Sequence, residues 1–491
     1  MTDGNILIKN MSFQYISMMQ PLFKNVNLNI NENWKLGLVG RNGRGKTTFL
    51  EILLNELDYE GDVQSNLEFK YFPQYPKGSD DVTALEVLQQ HNANIEVWQI
   101  ERELSYMDLP SDILDKSFNI LSGGEQTKVL LIELFLNQNS FPLIDEPTNN
   151  LDSHGRRIVG NYLNNKKGYI VISHDEYFLN QFVDHILAIN KESIELITGN
   201  IDTWKYEREN ADKLSEEQNA KLKSEIKRLN QASGTVSTWG QKRENSTKDA
   251  AERRLAAKQM KRAKAIKKRT EEMIEDKESL INNVEAASNL KMLVKEPRKQ
   301  ILFLRNFSII RNGMPLFEPI NIDVYPNERF FIKGKNGVGK STLLDFILGN
   351  EHWETTGEYR VNLPENLSVL NQKNQDDLDY PSFINKLNSK EKENYWHLLH
   401  QLGVHRSSFS DKSSKDWSSG EQKKVFLADA LLGKNELFVW DEVTNYLDIV
   451  VINQLIDAIN KFQPTMIGVD HNEYFVHSIA TKKKELTNGS F

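Results

Sequence analysis

Cysteine is absent from this 491-residue chain, which excludes disulfides and thiolate metal sites and suits a reducing compartment. Long apolar runs are missing too, and none approaches the roughly 18–20 residues a bilayer-crossing helix needs. The opening Met1-Thr2-Asp3-Gly4-Asn5 shows no basic region leading into an apolar signal core. Proline is scarce where helix-forming residues are densest: between 201 and 298 it stands only at Pro297. These absences point to a soluble, cytoplasmic chain, for which a transporter role would need a separate membrane chain, long enough for roughly three domains of about 150 residues.

The charge is uneven. The formal net charge is −8, yet Lys221 to Thr270 holds 16 Lys/Arg against 4 Asp/Glu, a net of +12, leaving −20 for the rest. An acidic body with one concentrated basic segment calls for a polyanionic partner at that segment.

What fills the chain is a duplication. Gly40-Arg41-Asn42-Gly43-Arg44-Gly45-Lys46-Thr47 and Gly334-Lys335-Asn336-Gly337-Val338-Gly339-Lys340-Ser341 each open the same ordered string of motifs. After the first come Gln74, Leu121-Ser122-Gly123-Gly124-Glu125-Gln126, Asp145-Glu146 and Ser173-His174-Asp175. After the second come Gln372, Trp417-Ser418-Ser419-Gly420-Glu421-Gln422, Asp441-Glu442 and Asp470-His471. The copies lie 294 positions apart at the lysines, 296 at the signature serines and the aspartates, and 297 at the histidines. The expected layout is α/β: a first cassette over 1–200, an interdomain segment over 201–298, and a second cassette over 299–491.

Between the cassettes, Ala, Glu, Lys and Gln dominate, a helix-forming composition. Leu214, Ala220, Leu222, Ile226 and Leu229 mark one apolar stripe; Leu255, Met260, Ala263, Ile266, Met273, Leu280 and Val284 mark another. Ser246-Thr247-Lys248-Asp249 resembles a helix cap, and Gly234 to Gly240 reads as an interruption. The segment is therefore expected to be an antiparallel helical hairpin with its tip near 233–254.

Each glycine-rich loop turns successive N–H groups toward phosphates. Gly40, Asn42, Gly43, Gly45 and Thr48, and Gly334, Asn336, Gly337, Gly339 and Thr342, build two such cradles for ATP. Lys46 and Lys340 supply positive charge, and Thr47 and Ser341 offer hydroxyls to Mg²⁺. Asp145 and Asp441 would hold the metal's water shell, while Glu146 and Glu442 would polarise the water that attacks the γ-phosphate. Motif order assigns Gln74 and Gln372 to the metal and the attacking water, and His174 and His471 to the γ-phosphate.

The string Leu121-Ser122-Gly123-Gly124-Glu125-Gln126 resembles the signature of the ATP-binding-cassette (ABC) superfamily. The resemblance implies tandem P-loop domains, with the signature of one cassette closing on the nucleotide of the other. Ser122, Gly123 and Gly124 would then serve the site of Lys340, and Ser418 and Gly420 the site of Lys46. It also implies an aromatic residue stacked on adenine, which Tyr15 provides in the first cassette and for which Ile310 is the expected counterpart in the second. Ser419 replaces a signature glycine and Val443 the proline seen at Pro147, so two working but unequal sites are expected.

Two cassettes on one chain with a long charged linker resemble the ABC-F family of ribosome-binding ATPases. Trp34 to Lys46 and Phe141 to Glu146 look like the Lsa-type antibiotic-resistance members. That resemblance implies a monomer that binds the 70S ribosome at the tRNA exit site and reaches 23S rRNA and the P-site tRNA, not DNA. It further implies relief of inhibition by lincosamides, pleuromutilins and group A streptogramins. The spacing from Gln74 to Ser122 leaves no room for the extra arm of the family's housekeeping members, although a housekeeping or regulatory translation ATPase, and a transporter ATPase subunit, remain alternatives. The loop near the tip looks shorter than in the Lsa type, favouring an indirect route to the drug. Lys261, Arg262, Lys264, Lys267, Lys268 and Arg269 suit RNA phosphates, with Lys242, Arg243, Lys248, Arg253 and Arg254 around the tip. Trp239 either stacks on a base or pins the two helices together.

Overall fold

The computed structural model describes residues 5–16, 20–76, 82–90, 95–136, 139–190, 193–244, 290–370, 387–404, 419–445 and 447–489. The chain divides into two compact units, one comprising Met1–Asp202 with Ala287–Phe491 and the other Thr203–Ala286.

The first unit contains both cassettes, and their strand topologies repeat. In the first, the sheet order is Glu68–Phe72, Ser140–Asp145, Tyr169–Ile172, Lys35–Val39, His185–Ile189, Ile194–Thr198. Neighbours are parallel except for the final antiparallel pair. In the second, Leu367–Leu370, Leu437–Asp441, Met466–Val469, Arg329–Lys333 and Lys482–Glu485 follow the same order, all parallel. The central strands are covered on both faces and so read as unbroken apolar runs: Tyr169–Ile172 is buried at all four positions.

A smaller antiparallel sheet completes each cassette. Asn5–Phe13 pairs with Phe23–Asn31 and Glu60–Gln64; Leu302–Arg311 pairs with Ile320–Val324, Glu354–Val361 and the short Met314–Pro315. One face of each is solvated, hence the burial of Ile6 and Ile8 with Asn5 and Lys9 exposed on either side of them. Between the layers lie Ile30, Leu36, Leu38, Phe49, Leu143 and Ile170 in the first cassette, and Phe307, Phe317, Ile332, Leu343, Val439 and Ile467 in the second. Each such side chain contributes about 1.5–3 kcal/mol when fully buried, and together they fix the strand ends that carry the motifs.

The segment between the cassettes differs from expectation at one point. Ile201–Glu244 is a single helix of 44 residues, running through Gly234 and Gly240, so the interruption expected there does not occur. A helix-interior glycine costs only about 1 kcal/mol, and the long stretch rich in Glu, Lys, Ala and Gln that precedes Gly234 offsets two of them. Along it Leu222, Ile226 and Leu229 are half-buried and Leu214 is exposed. Residues 245–289, including the second arm of the expected hairpin, fall outside the described residues. The chain then enters the second cassette: Leu290 and Met292 are buried in its core, and Leu293 and Lys295 donate main-chain bonds to Leu431 and Asn435.

Candidate active site

Both phosphate loops sit between a buried central strand and a helix, Lys35–Val39 to Lys46–Leu53 and Arg329–Lys333 to Lys340–Leu348. Each helix is entered from a left-handed glycine, Gly45 (φ 92°) and Gly339 (φ 103°). Any side chain there would also strike Leu22 or Leu316, which close over the loops, so glycine is required twice over. The lysines fold across their own loops. Lys46 Nζ donates to the Gly40 carbonyl at 2.8 Å and to Asn42 Oδ1 at 3.2 Å; Lys340 Nζ donates to the Gly334 and Lys335 carbonyls at 2.9 and 3.0 Å.

The acidic motifs arrive at the strand ends beside these loops. The Thr47 hydroxyl reaches Asp145 Oδ2 at 3.4 Å, and the Ser341 hydroxyl donates to Asp441 Oδ2 at 2.8 Å. Asp441 Oδ1 is buried with no hydrogen-bond partner. A hydroxyl, a carboxylate and an orphaned oxygen beside a phosphate cradle fit a hard cation shared with phosphate oxygens. Sequence reasoning missed Tyr71, which donates to Asp145 Oδ2 at 3.1 Å. Gln74 is exposed beyond that strand, while Gln372 and Ser418 fall outside the described residues.

Glu146 and Glu442 share an unexpected feature. Both have left-handed backbones, φ 48° and 52°, a conformation that costs a non-glycine residue roughly 1–3 kcal/mol and clusters at functional sites. Bonds from Glu146 N to Ile172 O (2.9 Å) and Glu442 N to Val469 O (2.7 Å) hold them there. The kink turns each carboxylate back toward its histidine: His174 Nε2 lies 3.2 Å from Glu146 Oε1, and His471 Nε2 3.6 Å from Glu442 Oε1.

Burial, then the charge of Asp145, pushes the Glu146 carboxyl up to about 8. Burial, then Asp441 and Asp470, also raises Glu442, with Lys423 opposing. Burial followed by the loop lysine drives His174 down to about 3, and the same order of causes brings His471 to about 3. Both imidazoles are therefore neutral at physiological pH, suited to donate one N–H rather than carry charge.

The copies are not electrostatically alike. Where the first cassette has Thr127 and Ser173, the second has Lys423 and Asp470. Lys423 Nζ donates to the Glu442 carbonyl, and buried Asp470 accepts from the Thr444 hydroxyl at 2.6 Å.

The two cassettes meet head to tail. Asn42 N donates to Asp448 Oδ2 at 3.0 Å, and Asn336 N donates to Asp152 Oδ2 at 3.2 Å. In both carboxylates the other oxygen caps its own helix, Asp152 toward Gly155 and Asp448 toward Val451. Neither aspartate was singled out from the sequence. Around the second loop this packing forms a cleft of about 740 Å³. Ser122, Gly123 and Gly124 line it from one side, and Asn336, Gly337, Gly339, Lys340, Ser341 and Thr342 from the other, with Glu442 and His471. The signature thus faces the opposite cassette's loop with the N-terminus of its Gly123–Leu136 helix, a favourable end for phosphate. Gly420 lies in the first turn of the corresponding Ser419–Leu432 helix.

The Tyr15 hydroxyl meets Thr48 Oγ1 at 2.9 Å. Its counterpart is not Ile310. Leu22 N bonds Phe13 O, and Leu316 N bonds Ile309 O, each at 2.8 Å; Phe13 therefore matches Ile309, and Tyr15, two residues on, matches Arg311. The second hairpin is two residues shorter, which shifts the count. Trp239, Lys242 and Arg243 lie on the Ile201–Glu244 helix, whereas Lys248, Arg253, Arg254, Lys261, Arg262, Lys264, Lys267, Lys268 and Arg269 fall outside the described residues.

A family model described as ABC transporter matches residues 23–149 and 317–445. The ribosome protection protein VmlR of Bacillus subtilis (strain 168) is 24% identical over 98% of this chain and 87% of its own length. The erythromycin resistance ATP-binding protein MsrA of Staphylococcus epidermidis is 28% identical over 93% of this chain and 92% of its own. The archaeal ribosome recycling factor aABCE1, solved with the ribosomal stalk protein aP1, superposes with a TM-score of 0.61 over 97% of this chain and 87% of that one. At 19% identity, that likeness concerns the fold.

Proposed function

The chain belongs to the ABC transporter family, matched once in each cassette, and is an ATP hydrolase; from this premise we propose that it is an ABC-F ATPase that protects ribosomes from antibiotics. The proposed target is the tRNA exit site of the 70S ribosome. From there the 201–298 segment acts against inhibitors of the peptidyl-transferase centre, namely lincosamides, pleuromutilins and group A streptogramins, through 23S rRNA or the P-site tRNA, as in Lsa-type proteins.

One observation supports this reading above the rest: the +12 charge of Lys221 to Thr270 stands between two ATP sites in a chain similar over nearly its full length to proteins named for ribosome protection and erythromycin resistance. Cationic side chains release counterions from RNA phosphates and bind them in a salt-dependent way. The 44-residue helix Ile201–Glu244 is roughly 66 Å long at 1.5 Å per residue. Among the described residues no helix is long and apolar enough to cross a membrane.

In the proposed cycle, ATP occupies each loop and the opposing signature closes on it. Thr47 with Asp145, and Ser341 with Asp441, would hold Mg²⁺, which supplies neutralisation of phosphate charge. Glu146 and Glu442, in their ionised form, hold and polarise the attacking water, and neutral His174 and His471 donate to the γ-phosphate. Asp152 and Asp448 link each phosphate loop to the other cassette, so that nucleotide clamps the halves and hydrolysis releases them.

The test is drug susceptibility of a sensitive bacterium expressing the chain, with ATP-dependent co-sedimentation of the protein with 70S ribosomes. Protection together with co-sedimentation supports the reading. Co-sedimentation without protection redirects it to a regulatory translation ATPase, and absence of both removes the ribosome from the account.

A further inference from the structure

The second nucleotide site lacks the aromatic residue that the first offers, and the structure places a cation in its stead. Leu302–Arg311 and Met314–Pro315 form a hairpin in which Arg311 pairs with Met314. Asn312 and Gly313, both at positive φ (52° and 78°), make the two-residue turn that asparagine–glycine favours. That turn fixes Arg311 at the end of its strand. Being two residues from Ile309, Arg311 shares its face, as Tyr15 shares the face of Phe13.

Three further observations bear on what Arg311 does. It lines the cleft over the second phosphate loop, together with Leu316, Lys340 and Thr342. Leu316 closes over Gly339 as Leu22 closes over Gly45, so the hairpin meets both loops in the same way. Arg311 is exposed, and among the described residues it has no ion-pair or hydrogen-bond partner. Its guanidinium is therefore not committed to holding the fold.

We propose that Arg311 is the base-stacking residue of the second site, laying its planar guanidinium against the adenine of the nucleotide whose phosphates sit on Lys340. A guanidinium is flat, weakly hydrated and attracted to π faces, which a lysine ammonium cannot reproduce as a stack. The first site grips adenine with a neutral phenol and the second with a charged plane. This inference rests on the reading of both loops as ATP sites and adds the residue that recognises the base in one of them.

The test uses the full chain with Lys46→Ala, which leaves the second site to be titrated alone by calorimetry with the non-hydrolysable analogue AMP-PNP and, separately, with tripolyphosphate. Arg311→Ala is expected to weaken AMP-PNP roughly fivefold, the scale of a cation–π contact, and to leave tripolyphosphate unchanged. Arg311→Tyr restores AMP-PNP binding and Arg311→Lys does not. Unchanged AMP-PNP affinity in Arg311→Ala overturns the proposal. So does rescue by lysine with parallel weakening of tripolyphosphate, which would make Arg311 a phosphate contact. Failure of the Lys46→Ala chain to bind AMP-PNP at all would instead overturn the ATP-site reading beneath it.

Discussion

Asp152 joins two events in one side chain: its Oδ2 receives the main-chain N–H of Asn336 in the opposite phosphate loop at 3.2 Å, while its Oδ1 caps its own helix at Gly155. Asp448 does the same in reverse for Asn42 and Val451. Ordering of either phosphate loop is thereby coupled to the start of a helix in the other cassette.

Substitution at Asp152 separates the two roles. Asp152→Ala loses the cap, at a cost of about 1 kcal/mol, and the cross-cassette bond. Asp152→Asn keeps a good cap and weakens only the charge-assisted bond. Both variants should show reduced steady-state ATPase activity, and the alanine variant the larger fall in melting temperature, since it loses the cap as well as the charge. Wild-type ATPase in both would mean that the bridge does not couple the cassettes.

The same carboxylates set an acid limit. Burial alone would raise Asp152, yet the N–H bonds from Gly155 and Asn336 outweigh it and hold the carboxyl below its usual range. For Asp448 burial is again outweighed, first by Lys424 and then by the bonds from Asn42 and Val451. A carboxyl depressed in the folded state stabilises it above the unfolded value of 3.8; that stability is lost as pH falls through the folded values. Melting temperature should drop as pH falls below about 4, and Asp152→Asn with Asp448→Asn should flatten the drop. An acid limb of the same steepness in the double variant would assign it to other groups.

Arg156 ties the first cassette together internally. It pairs with Asp175 at 2.8 Å, both nearly buried, and donates to the Leu151 and Thr148 carbonyls. Arg156→Ala strands a buried carboxylate, so the loss should be about 3–5 kcal/mol, read by denaturant unfolding. A loss under about 1 kcal/mol, the scale of an exposed pair, would show the pair to be solvated in practice.

Glu146→Gln with Glu442→Gln should bind ATP and stay closed on ribosomes while hydrolysis slows by about two orders of magnitude or more. The single variants should differ in residual rate by about threefold or more, a barrier difference of about 0.7 kcal/mol. Lys423 and Asp470 surround Glu442 where Thr127 and Ser173 accompany Glu146. Equal residual rates would show that this difference does not reach the chemistry.

Motif order made the duplicated α/β cassettes legible, because phosphate loops and signatures need particular atoms at particular strand ends, and the superfamily resemblance implied their crossed pairing. Other features depend on geometry that residue identity does not encode. The tyrosine counterpart was misplaced by one residue because the two hairpins differ in length, and only the Leu22 and Leu316 main-chain bonds fix the register. The left-handed backbones of Glu146 and Glu442 come from bonds to the neighbouring strand. Asp152 and Asp448 become bridges only once two distant helices face each other. At Gly234 and Gly240 a local propensity argument failed because their cost is small against a 44-residue helix.

The central claim is tested most directly by replacing Ser233–Arg254 with a short Gly-Ser turn and measuring resistance in cells that make equal amounts of each protein. The replaced stretch includes the last turns of the Ile201–Glu244 helix and spares Lys261 to Arg269. The account predicts folded cassettes, intact ATPase activity, ribosome association that weakens only in part and with a shallower salt dependence, because fewer phosphate contacts remain, and no drug protection. Full protection by the replaced variant would contradict it.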